Sequence, residues 1–376
     1  MPTSHSGPRA AEFFAGIGLV RMAIERAGFA VVWANDVSEA KRDLYVAHFG
    51  PDDFVLSDIR DVRGDDVPAV ALATASFPCT DISLAGNRRG LHGGQSSMFW
   101  EFARVLEEME DRRPAVCLLE NVPSLATSNG GADLRAVIRE LNRLGYVCDL
   151  FVADARRFVP QSRPRLFIVG SVQTMPESGD WQPTEVRPAW IGSFVAANPE
   201  LALQAAPLRL PLSAAPTLAD VVERLAFDDP RWWGPARVAS FVDSLSRIQT
   251  TRLEALRSSG GRVWATAYRR TRNGRAVWEI RADGISGCLR TARGGSSKQA
   301  LVEAGRGEVR VRWMTPREYA RLQGAPDYDL GDARTNQALF GFGDAVCVPV
   351  VAWIARSYLR PLVDRGLPSE EGAAVA

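Results

Sequence analysis

A cysteine close to a glycine-rich stretch is the first candidate for chemistry in this 376-residue sequence. Cys79 follows Pro78 at the end of an apolar run and precedes the polar stretch TDISLAGNRRGLHGGQSS. A thiol exposed at such a strand end, near helix N-termini, can have a lowered pKa and act as a nucleophile. The alternative is that Cys79 is a small buried hydrophobic residue, a common environment for cysteine.

An acid and two arginines could complete a reactive site with this thiol. Glu120 directly follows the apolar run VCLL, which predicts its carboxyl group at the carboxyl edge of a sheet, beside Cys79. There it can donate a proton, although a solvated strand-end acid is the competing interpretation. Arg163 and Arg165 flank a proline in extended backbone, so both are predicted to point to one side. Paired arginines at a strand start also form surface ion pairs.

The motif FFAGIG predicts a nucleotide-binding turn. Gly16 and Gly18 lie between a predicted strand and a predicted helix, where doubly wound folds bind nucleotides with the N–H donors of the helix start. The dinucleotide fingerprint is incomplete, because Arg21 stands where its third glycine would be. Asp36 follows the second predicted strand about 20 residues on, where an acid can bind ribose hydroxyls. Phe14 can stack on an adenine or belong to the core.

The elements that must position these residues follow from hydrophobic periodicity. Over the first 170 residues, short apolar runs alternate with helix-period segments, which predicts a doubly wound α/β sheet with helices on both faces. Residues 172–216 lack a sustained period. The segment RVWATAYRRTRNGRAVWEIRADG predicts a hairpin that turns at Asn273 and Gly274. TLADVVERL and TPREYARLQG predict short helices, and AVCVPVVAWIARSYLRPLV predicts a helix packed on two sides.

The charge distribution is uneven although the net charge is +1. Residues 247–312 contain 15 lysines and arginines against 5 acids, a local excess that suits a polyanion. The bland alternative is coding bias, because 43 of the 45 basic residues are arginine.

Cysteine usage and hydropathy bound the setting of the chain. Five scattered cysteines and three histidines predict a reduced, cytoplasmic setting without a metal site. The longest apolar run, residues 345–355, is about half a bilayer span, and the N-terminus lacks a signal sequence, which predicts no membrane segment.

The motifs, taken in order, resemble those of the C5-cytosine DNA methyltransferases. They are FAGIG, ND, SDI, PC, ENV, QSRPR, RTARGG, TPREYARLQG and GFGDAVCVP, and they cover roughly residues 11–170 and 287–355. The resemblance implies a Rossmann-like enzyme that transfers a methyl group from S-adenosylmethionine to C5 of a cytosine in a specific duplex DNA site, leaving S-adenosylhomocysteine. The cytosine would be flipped out of the duplex and form a covalent cysteine adduct at C6.

The resemblance also implies roles for individual residues. Cys79 would be the nucleophile, Glu120 would hold N3 and the exocyclic amine, and Arg163 with Arg165 would stabilise charge around O2 and the loop–phosphate contacts. The cofactor residues would be Phe14, Gly16, Gly18, Asp36, Val37, Asp58, Ile59, Pro78, Asp344 and Val346. The DNA contacts would be Ser83, Arg88 and Arg89 in the 80–97 loop, and Arg269, Arg270, Arg272 and Arg275.

The implied organisation is a catalytic S-adenosylmethionine-binding domain over residues 1–175, a smaller β-rich target-recognition domain over 176–335, and a C-terminal helix over 336–376 that returns to the first domain. The implied partners are double-stranded DNA and a restriction endonuclease acting on the same site, and we expect a monomer. Two alternatives stay open: a related RNA methyltransferase, against which the large recognition segment argues, and a non-catalytic DNA-binding module, against which the intact reactive residues argue.

Two positions depart from the family pattern. Thr80 stands where the family usually has glutamine, so a longer side chain that helps fill the gap left by a flipped base is missing. Asp344 stands where the family commonly has asparagine, which adds a negative charge near the amino-acid end of the cofactor. We expect this aspartate to alter cofactor affinity; the alternative is that it simply binds the cofactor ammonium or a neighbouring N–H.

Overall fold

The computed structural model describes residues 7–77, 98–174, 179–272, 274–291 and 298–366, and its Cα packing divides the chain into two compact units. The first unit comprises Met1–Ala153, Pro164–Pro211 and Val350–Ala376, and the second comprises Asp154–Arg163 and Leu212–Pro349. The functional domains expected over 1–175, 176–335 and 336–376 stay predictions.

Within the described residues, strands and helices mostly alternate along the first half of the chain, although only short 3₁₀ helices separate β3 from β4 and β6 from β7. The strands are β1 Arg9–Phe13, β2 Ala30–Asp36, β3 Phe54–Leu56, β4 Leu72–Ala75, β5 Val116–Asn121, β6 Val147–Asp154, β7 Pro164–Ser171, β8 Val263–Arg272, β9 Arg275–Ile280, β10 Ala300–Gly305 and β11 Glu308–Trp313. The helices are α1 Leu19–Glu25, α2 Glu39–Phe49, α3 Met98–Glu108, α4 Ala132–Arg143, α5 Ala189–Ala196, α6 Leu218–Val221, α7 Pro235–Asp243, α8 Arg247–Arg257, α9 Pro316–Leu322, α10 Thr335–Asp344, α11 Val348–Ile354 and α12 Arg360–Gly366.

The first unit is built on a seven-stranded sheet with the order β3-β2-β1-β4-β5-β7-β6. The five strands from β3 to β5 are parallel, whereas β7 runs antiparallel to β5. This confirms the mixed α/β class with a large, mostly parallel sheet. Because β7 is antiparallel, its first residues lie at the same edge as the last residues of β1 to β5. We call this edge the carboxyl edge, and it holds the glycine turn after β1, Asp36 at the end of β2 and Glu120 near the end of β5.

The core of the first unit explains why these segments form their elements. Apolar residues of β1, β4 and β5 pack with the inward faces of α3 and α4, including Phe13, Phe99, Phe102, Val137 and Ile138. The rings of Phe13 and Phe102 meet edge to face with centroids 5.0 Å apart. Burying these side chains supplies the main stabilisation of the unit, about 1.5–3 kcal/mol for each large one.

The second unit contains an antiparallel sheet with the order β11-β10-β8-β9. β8 and β9 form the predicted hairpin, in which Arg272 pairs with Arg275. Asn273, the first residue of the predicted turn, lies outside the described residues. The predicted short helices are also confirmed as α6 and α9. Thr315 caps α9 by accepting a hydrogen bond from the Glu318 N–H, while the Glu318 side chain accepts one from the Thr315 N–H.

The C-terminal apolar segment is longer than the sequence estimate of half a bilayer. Among the described residues, the segment Thr335–Arg365, which contains α10, α11 and most of α12, is by length and composition apolar enough to cross a membrane. Within its most apolar window, 78% is buried inside the protein. Core helices have this composition and this burial, which agrees with the expectation that the segment is packed on two sides.

Candidate active site

The turn after β1 has the backbone that a close approach to a ligand requires. Gly16 and Gly18 have φ of 59° and 77°, in the left-handed region that glycine tolerates best. A Cβ at Gly18 would lie 2.5 Å from the Phe49 ring, whereas a Cβ at Gly16 would meet its nearest atoms only at 3.9 Å. Gly18 is therefore required by packing, whereas a Cβ at Gly16 would make only ordinary van der Waals contacts. Phe14 also has a positive φ of 55°, a costly conformation of the kind that clusters at ligand sites.

Asp36 connects the end of β2 to this turn. Its Oδ2 accepts a hydrogen bond of 2.9 Å from the Gly16 N–H, and its Oδ1 accepts one of 2.9 Å from the Ser38 N–H. The side chain is buried, and each carboxylate oxygen retains a second acceptor site. The acid predicted to bind ribose hydroxyls therefore lies against the glycine turn, held by two backbone donors.

The remaining cofactor candidates of the first unit follow β2 and β3. Val37 is 66% exposed, an unusual environment for valine beside a buried aspartate, whereas Ile59 is buried. Asp58 caps a short 3₁₀ helix, Ile59–Asp61. Hydrogen bonds from the Arg60 side chain lower the pKa of Asp58, so this carboxylate is ionised at neutral pH. Asn35 holds the two strand ends together by donating to the Val55 and Ser57 carbonyls.

Glu120 and Arg165 meet at the carboxyl edge. Arg165 Nε lies 2.8 Å from Glu120 Oε1, with only 16% of the arginine side chain and 11% of the glutamate side chain exposed. Glu120 is the next-to-last residue of β5 and Arg165 is the second residue of the antiparallel β7, so adjacent strands bring the acid and the guanidinium together. An ion pair in this position keeps a mostly buried carboxylate in place at the edge of the sheet.

Asn121 connects Glu120 to the segment that contains the candidate nucleophile. Its side-chain amide donates to the Phe77 carbonyl at 3.3 Å, two residues before Cys79, because β4 and β5 are parallel neighbours. Cys79 itself lies outside the described residues. The same holds for Pro78, Thr80, Ser83, Arg88 and Arg89.

Arg163 does not share the environment of Arg165. It lies in the second unit and is buried, with hydrogen bonds from its guanidinium to the carbonyls of Leu289 at 3.0 Å, Gly343 at 3.3 Å and Asp344 at 3.3 Å. Two of these are the last carbonyls of α10, which a cation stabilises. Its described contacts are those of a residue that positions backbone, and the electrostatic role implied by the resemblance stays a prediction.

Asp344 and Val346 also lie in the second unit. The Asp344 carboxylate accepts a short hydrogen bond from the Thr291 hydroxyl, and Val346 is buried. Thr291 also bonds to the Phe340 carbonyl at 3.2 Å. The aspartate thus holds a neighbouring segment of its own unit, and its influence on the cofactor stays a prediction.

The four candidate DNA-contacting arginines of the hairpin are divided between two faces. Alternation along β8 and its pairing with β9 put Arg270, Arg272 and Arg275 on one face. Arg269 lies on the other face, opposite Trp278. This division could not be predicted from the sequence, because it depends on the pairing register of β8 and β9.

Two buried ionisable residues, Glu12 in β1 and Arg21 in α1, flank the glycine turn in the sequence. Glu12, in β1, is 1% exposed, and neither of its carboxylate oxygens has a hydrogen-bond partner among the described residues. Burial raises its pKa to about 8, against the opposing effect of Arg21. Sequence reasoning missed Glu12, although an acid within an apolar strand is a detectable signal.

Arg21, where a third glycine was sought, is an anchor between α1 and α2. Its guanidinium donates to the Tyr45 hydroxyl at 2.8 Å and to Asp53 at 2.9 Å, and its Nε donates to Glu25. These contacts hold the start of α1 against its neighbours. Side-chain contacts of Arg21 therefore stabilise the turn, in place of the close helix–strand packing that a third glycine would allow. Among the described residues, no group of three or more His, Cys, Asp or Glu is arranged to hold a metal.

The fold and the carboxyl edge define an α/β enzyme site in which a nucleotide-type turn lies on the same sheet edge as a paired acid. A family model described as C-5 cytosine-specific DNA methylase matches residues 9–360, and the chain belongs to this family. Membership confirms the resemblance carried by the ordered motifs, and it makes the protein a DNA cytosine-5 methyltransferase by class.

Named relatives match along most of the chain. The Type II methyltransferase M.DsaV of Dactylococcopsis salina is 28% identical over 349 residues, which are 93% of this chain and 85% of the relative. The Type II methyltransferase M.Bsp6I of Bacillus sp. (strain RFL6) is 26% identical over 358 residues, 94% and 99% of the two chains. The solved methyltransferase EhMeth of Entamoeba histolytica has a TM-score of 0.63 and 13% identity, covering 96% and 100%. At this identity the last comparison supports the fold alone.

Proposed function

We propose that this protein transfers a methyl group from S-adenosylmethionine to C5 of a cytosine flipped out of a specific duplex DNA site. The observation that carries the proposal is the Glu120–Arg165 pair at the carboxyl edge, tied through Asn121 to the segment before Cys79. Membership in the family and Type II relatives support DNA as the substrate.

The residues around the glycine turn fit a cationic nucleoside. At the turn, a Cβ at Gly16 would meet no atom closer than 3.9 Å, and Asp36 retains acceptor capacity for hydroxyl groups. Phe14, which would stack on the adenine, is partly buried and packs against the core of the first unit. Glu12 adds a buried carboxyl group without a hydrogen-bond partner among the described residues. Burial keeps it protonated at neutral pH, and a positively charged ligand group would lower its pKa and pair with the carboxylate. S-adenosylmethionine has a ribose, an adenine, an ammonium and a sulfonium, and when bound it supplies an electrophilic methyl group.

The chain's own residues would prepare the cytosine ring. C5 of cytosine is a weak nucleophile until a thiolate adds at C6. In the proposed reaction the Cys79 sulfur bonds to C6, and the ring electrons become available at C5 for the methyl group. Glu120 would hold N3 protonated and bind the exocyclic amine, with Arg165 keeping its carboxylate aligned. Removal of the C5 proton by a base then lets the C6–S bond break and releases Cys79.

The second unit would contact the DNA. Residues 247–312 carry the local positive charge, and Arg270, Arg272 and Arg275 share one exposed face of the β8–β9 hairpin. Lysine and arginine contacts to phosphates supply most non-specific affinity, and arginine is the commonest side chain to read guanine. We therefore assign target recognition to this unit. We further propose that the protein acts in the cytoplasm as a monomer. Its partner would be a restriction endonuclease that recognises the same DNA site.

Covalent trapping tests the proposed chemistry. We expect the protein and S-adenosylmethionine to form a stable complex with duplex DNA that contains 5-fluorocytosine in the target site, because fluorine at C5 cannot leave as a proton does. The Cys79→Ser variant should form none. Bisulfite sequencing of a plasmid from cells expressing the protein supplies the site. A plasmid with no protected cytosine in those cells would contradict the proposal.

Competition between duplex DNA and transfer RNA in a tritiated-methyl assay separates the RNA alternative. We expect label in DNA alone. Label in RNA with none in DNA would contradict the proposed DNA substrate and would support the RNA methyltransferase alternative.

A further inference from the structure

The hairpin of the second unit projects beyond its sheet as a two-stranded ribbon. β10 pairs with β8 only from Val263 to Ala267, whereas β9 pairs with β8 from Ala267 to Arg272. Residues 268–272 and 275–279, which we call the ribbon, therefore form five residue pairs whose only described sheet partner is each other. Their length is about 17 Å at 3.4 Å per residue. The major groove of DNA admits a two-stranded ribbon of this kind.

One face of the ribbon is anchored to the core of the unit. Trp278 places its ring centroid 5.5 Å from those of Trp233, Phe241 and Trp313. Arg269 lies opposite Trp278 on this face. The Arg237 guanidinium on α7 lies over the rings of the same aromatic cluster, 4.0 Å from the Trp233 centroid and 5.3 Å from that of Trp313. The anchored face leaves the opposite one for a partner.

The opposite face arranges two arginines around one acid. Glu279 Oε1 accepts hydrogen bonds from Arg272 Nε at 2.9 Å and Nη2 at 2.7 Å. Arg270 Nε lies 3.4 Å from Glu279 Oε2, and the Arg270 guanidinium lies 5.1 Å from the Tyr268 ring centroid. The arginine side chains are 48% and 61% exposed, and the glutamate side chain 17%. The acid is thus beneath two outward guanidinium groups.

We propose that Glu279 is a positioning residue for DNA recognition, holding Arg270 and Arg272 in fixed orientations on the ribbon face that enters the major groove. The inference rests on the proposed function, since it takes duplex DNA as the partner. An arginine that is oriented before binding loses less rotamer entropy when it makes a bidentate contact with a guanine. A glutamate on a DNA-binding face repels phosphate and would by itself weaken DNA binding. The orientation of Arg270 and Arg272 explains why Glu279 lies between them.

The test compares two variants with the same change of charge. Glu279→Gln removes the carboxylate beneath the arginines, and Glu308→Gln removes an exposed carboxylate at the β10–β11 turn, the other end of the same sheet. Methylation rates are measured on a duplex with the site found by bisulfite sequencing and on duplexes with single base-pair changes. Binding of an unrelated duplex is measured as a function of salt.

We expect both variants to bind unrelated DNA more tightly than the original protein, because each loses one negative charge. Only Glu279→Gln should lower the ratio of kcat/KM between the correct and the changed sites, by about tenfold. Equal ratios for the two variants would overturn the proposal. If the original protein methylates no DNA, the proposed function itself fails, and this outcome is distinct from equal ratios.

A second pair of variants keeps the test decisive if Glu279→Gln does not fold. Arg272→Lys keeps the charge of the ribbon but loses the fork that Glu279 orients, and Arg306→Lys makes the same exchange at the β10–β11 turn. We expect the ratio between correct and changed sites to fall for Arg272→Lys alone. The same ratio in both lysine variants would contradict orientation by Glu279.

Discussion

The carboxyl edge of the first unit and the ribbon of the second unit both gather charged side chains, in opposite environments. At the edge, Asp36 and Glu120 are largely removed from solvent and are held by backbone N–H groups or by Arg165. On the ribbon, Arg270 and Arg272 extend into solvent around Glu279. The edge holds few charges in fixed geometry, and the ribbon displays an excess of one sign.

The difference matches two physical tasks. Chemistry on a ring requires groups fixed to a fraction of an ångström in a partly dry site, where electrostatic interactions are strong. Contact with a polyanion requires accessible cations, whose effect is long-range and sensitive to salt. We therefore expect changes at the edge to alter turnover and changes on the ribbon to alter binding and selectivity.

The largest expected effect is on turnover. Glu120→Gln should lower kcat about a thousandfold, because the amide cannot keep N3 of the ring protonated. DNA affinity should change little, since the ribbon is intact. The measurement is a tritiated-methyl assay together with DNA binding. The control is Glu107→Gln, which removes an exposed acid of α3 that pairs with Arg143. If Glu120→Gln lost DNA affinity in proportion to its loss of kcat, the assignment of turnover to the edge and of DNA binding to the ribbon would be wrong.

The next effect is on stability and compares how each unit holds its fold. Arg312 and Glu318 are fully buried in the second unit, with Arg312 Nη1 donating to Glu318 Oε2 at 2.8 Å. Glu318→Gln leaves the guanidinium charge buried without its partner and should lower the free energy of unfolding by about 3–5 kcal/mol. Urea denaturation measures it.

A matched change exists in the first unit. Asp149 is fully buried and accepts two hydrogen bonds from Arg187, at 2.9 and 2.8 Å. Asp149→Asn should destabilise the protein comparably, whereas Arg231→Gln, which removes a guanidinium that is half exposed beside Asp229, should change little. Equal small effects of all three variants would show that these buried pairs do not hold the units.

A smaller effect concerns pH. Burial raises the pKa of Glu12 from 4.5 to about 8, so the folded protein retains a proton that the unfolded chain releases. Its contribution to stability is complete below pH 4.5 and is lost as the pH rises to about 8. Glu12→Gln should remove this loss, a few kcal/mol at most at about 1.4 kcal/mol per pKa unit. Urea denaturation at pH 5 and pH 8.5 tests it.

The same variant connects Glu12 to the edge. If its carboxylate receives a cationic ligand group, Glu12→Gln should bind S-adenosylmethionine more weakly while being more stable at pH 8.5. Unchanged affinity, with the expected gain in stability, would leave Glu12 as a strained core residue with no part in binding.

The smallest expected effect is at Asp344. Asp344→Asn keeps an oxygen that accepts the Thr291 hydroxyl, so the change is one of charge. We expect S-adenosylmethionine to bind several-fold more tightly, and calorimetry measures this. Asp332→Asn, another acid of the second unit, serves as the charge control. Equal or weaker affinity in Asp344→Asn would reject the prediction.

Much of the fold followed from local signals. Periodicity predicted the mixed α/β class, and Asn-Gly between alternating residues predicted the β8–β9 hairpin, because each depends on neighbours within a few residues. The order of the sheet did not follow: β7 lies between β5 and β6 and runs antiparallel to β5. Strand order depends on packing between segments distant in sequence.

The candidate site divides in the same way. The convergence of Gly16, Asp36 and Glu120 on one edge followed from their places after apolar strands, and the structure has them there. The distinct environments of Arg163 and Arg165 could not be inferred from the sequence. Residues two apart in extended backbone are predicted to point to the same side. Arg163 instead meets carbonyls more than 120 residues away.

The amino-acid sequence alone determined the family, the class of fold and the ordered set of reactive residues, because motif order and apolar periodicity are local in the chain. Tertiary structure alone decided which charges are paired. It buried Glu12 without a hydrogen-bond partner among the described residues, placed Arg165 on Glu120, and put Glu279 beneath two arginines. Charge pairing depends on distances of a few ångströms and on exclusion of water, and both are set only when remote segments pack together.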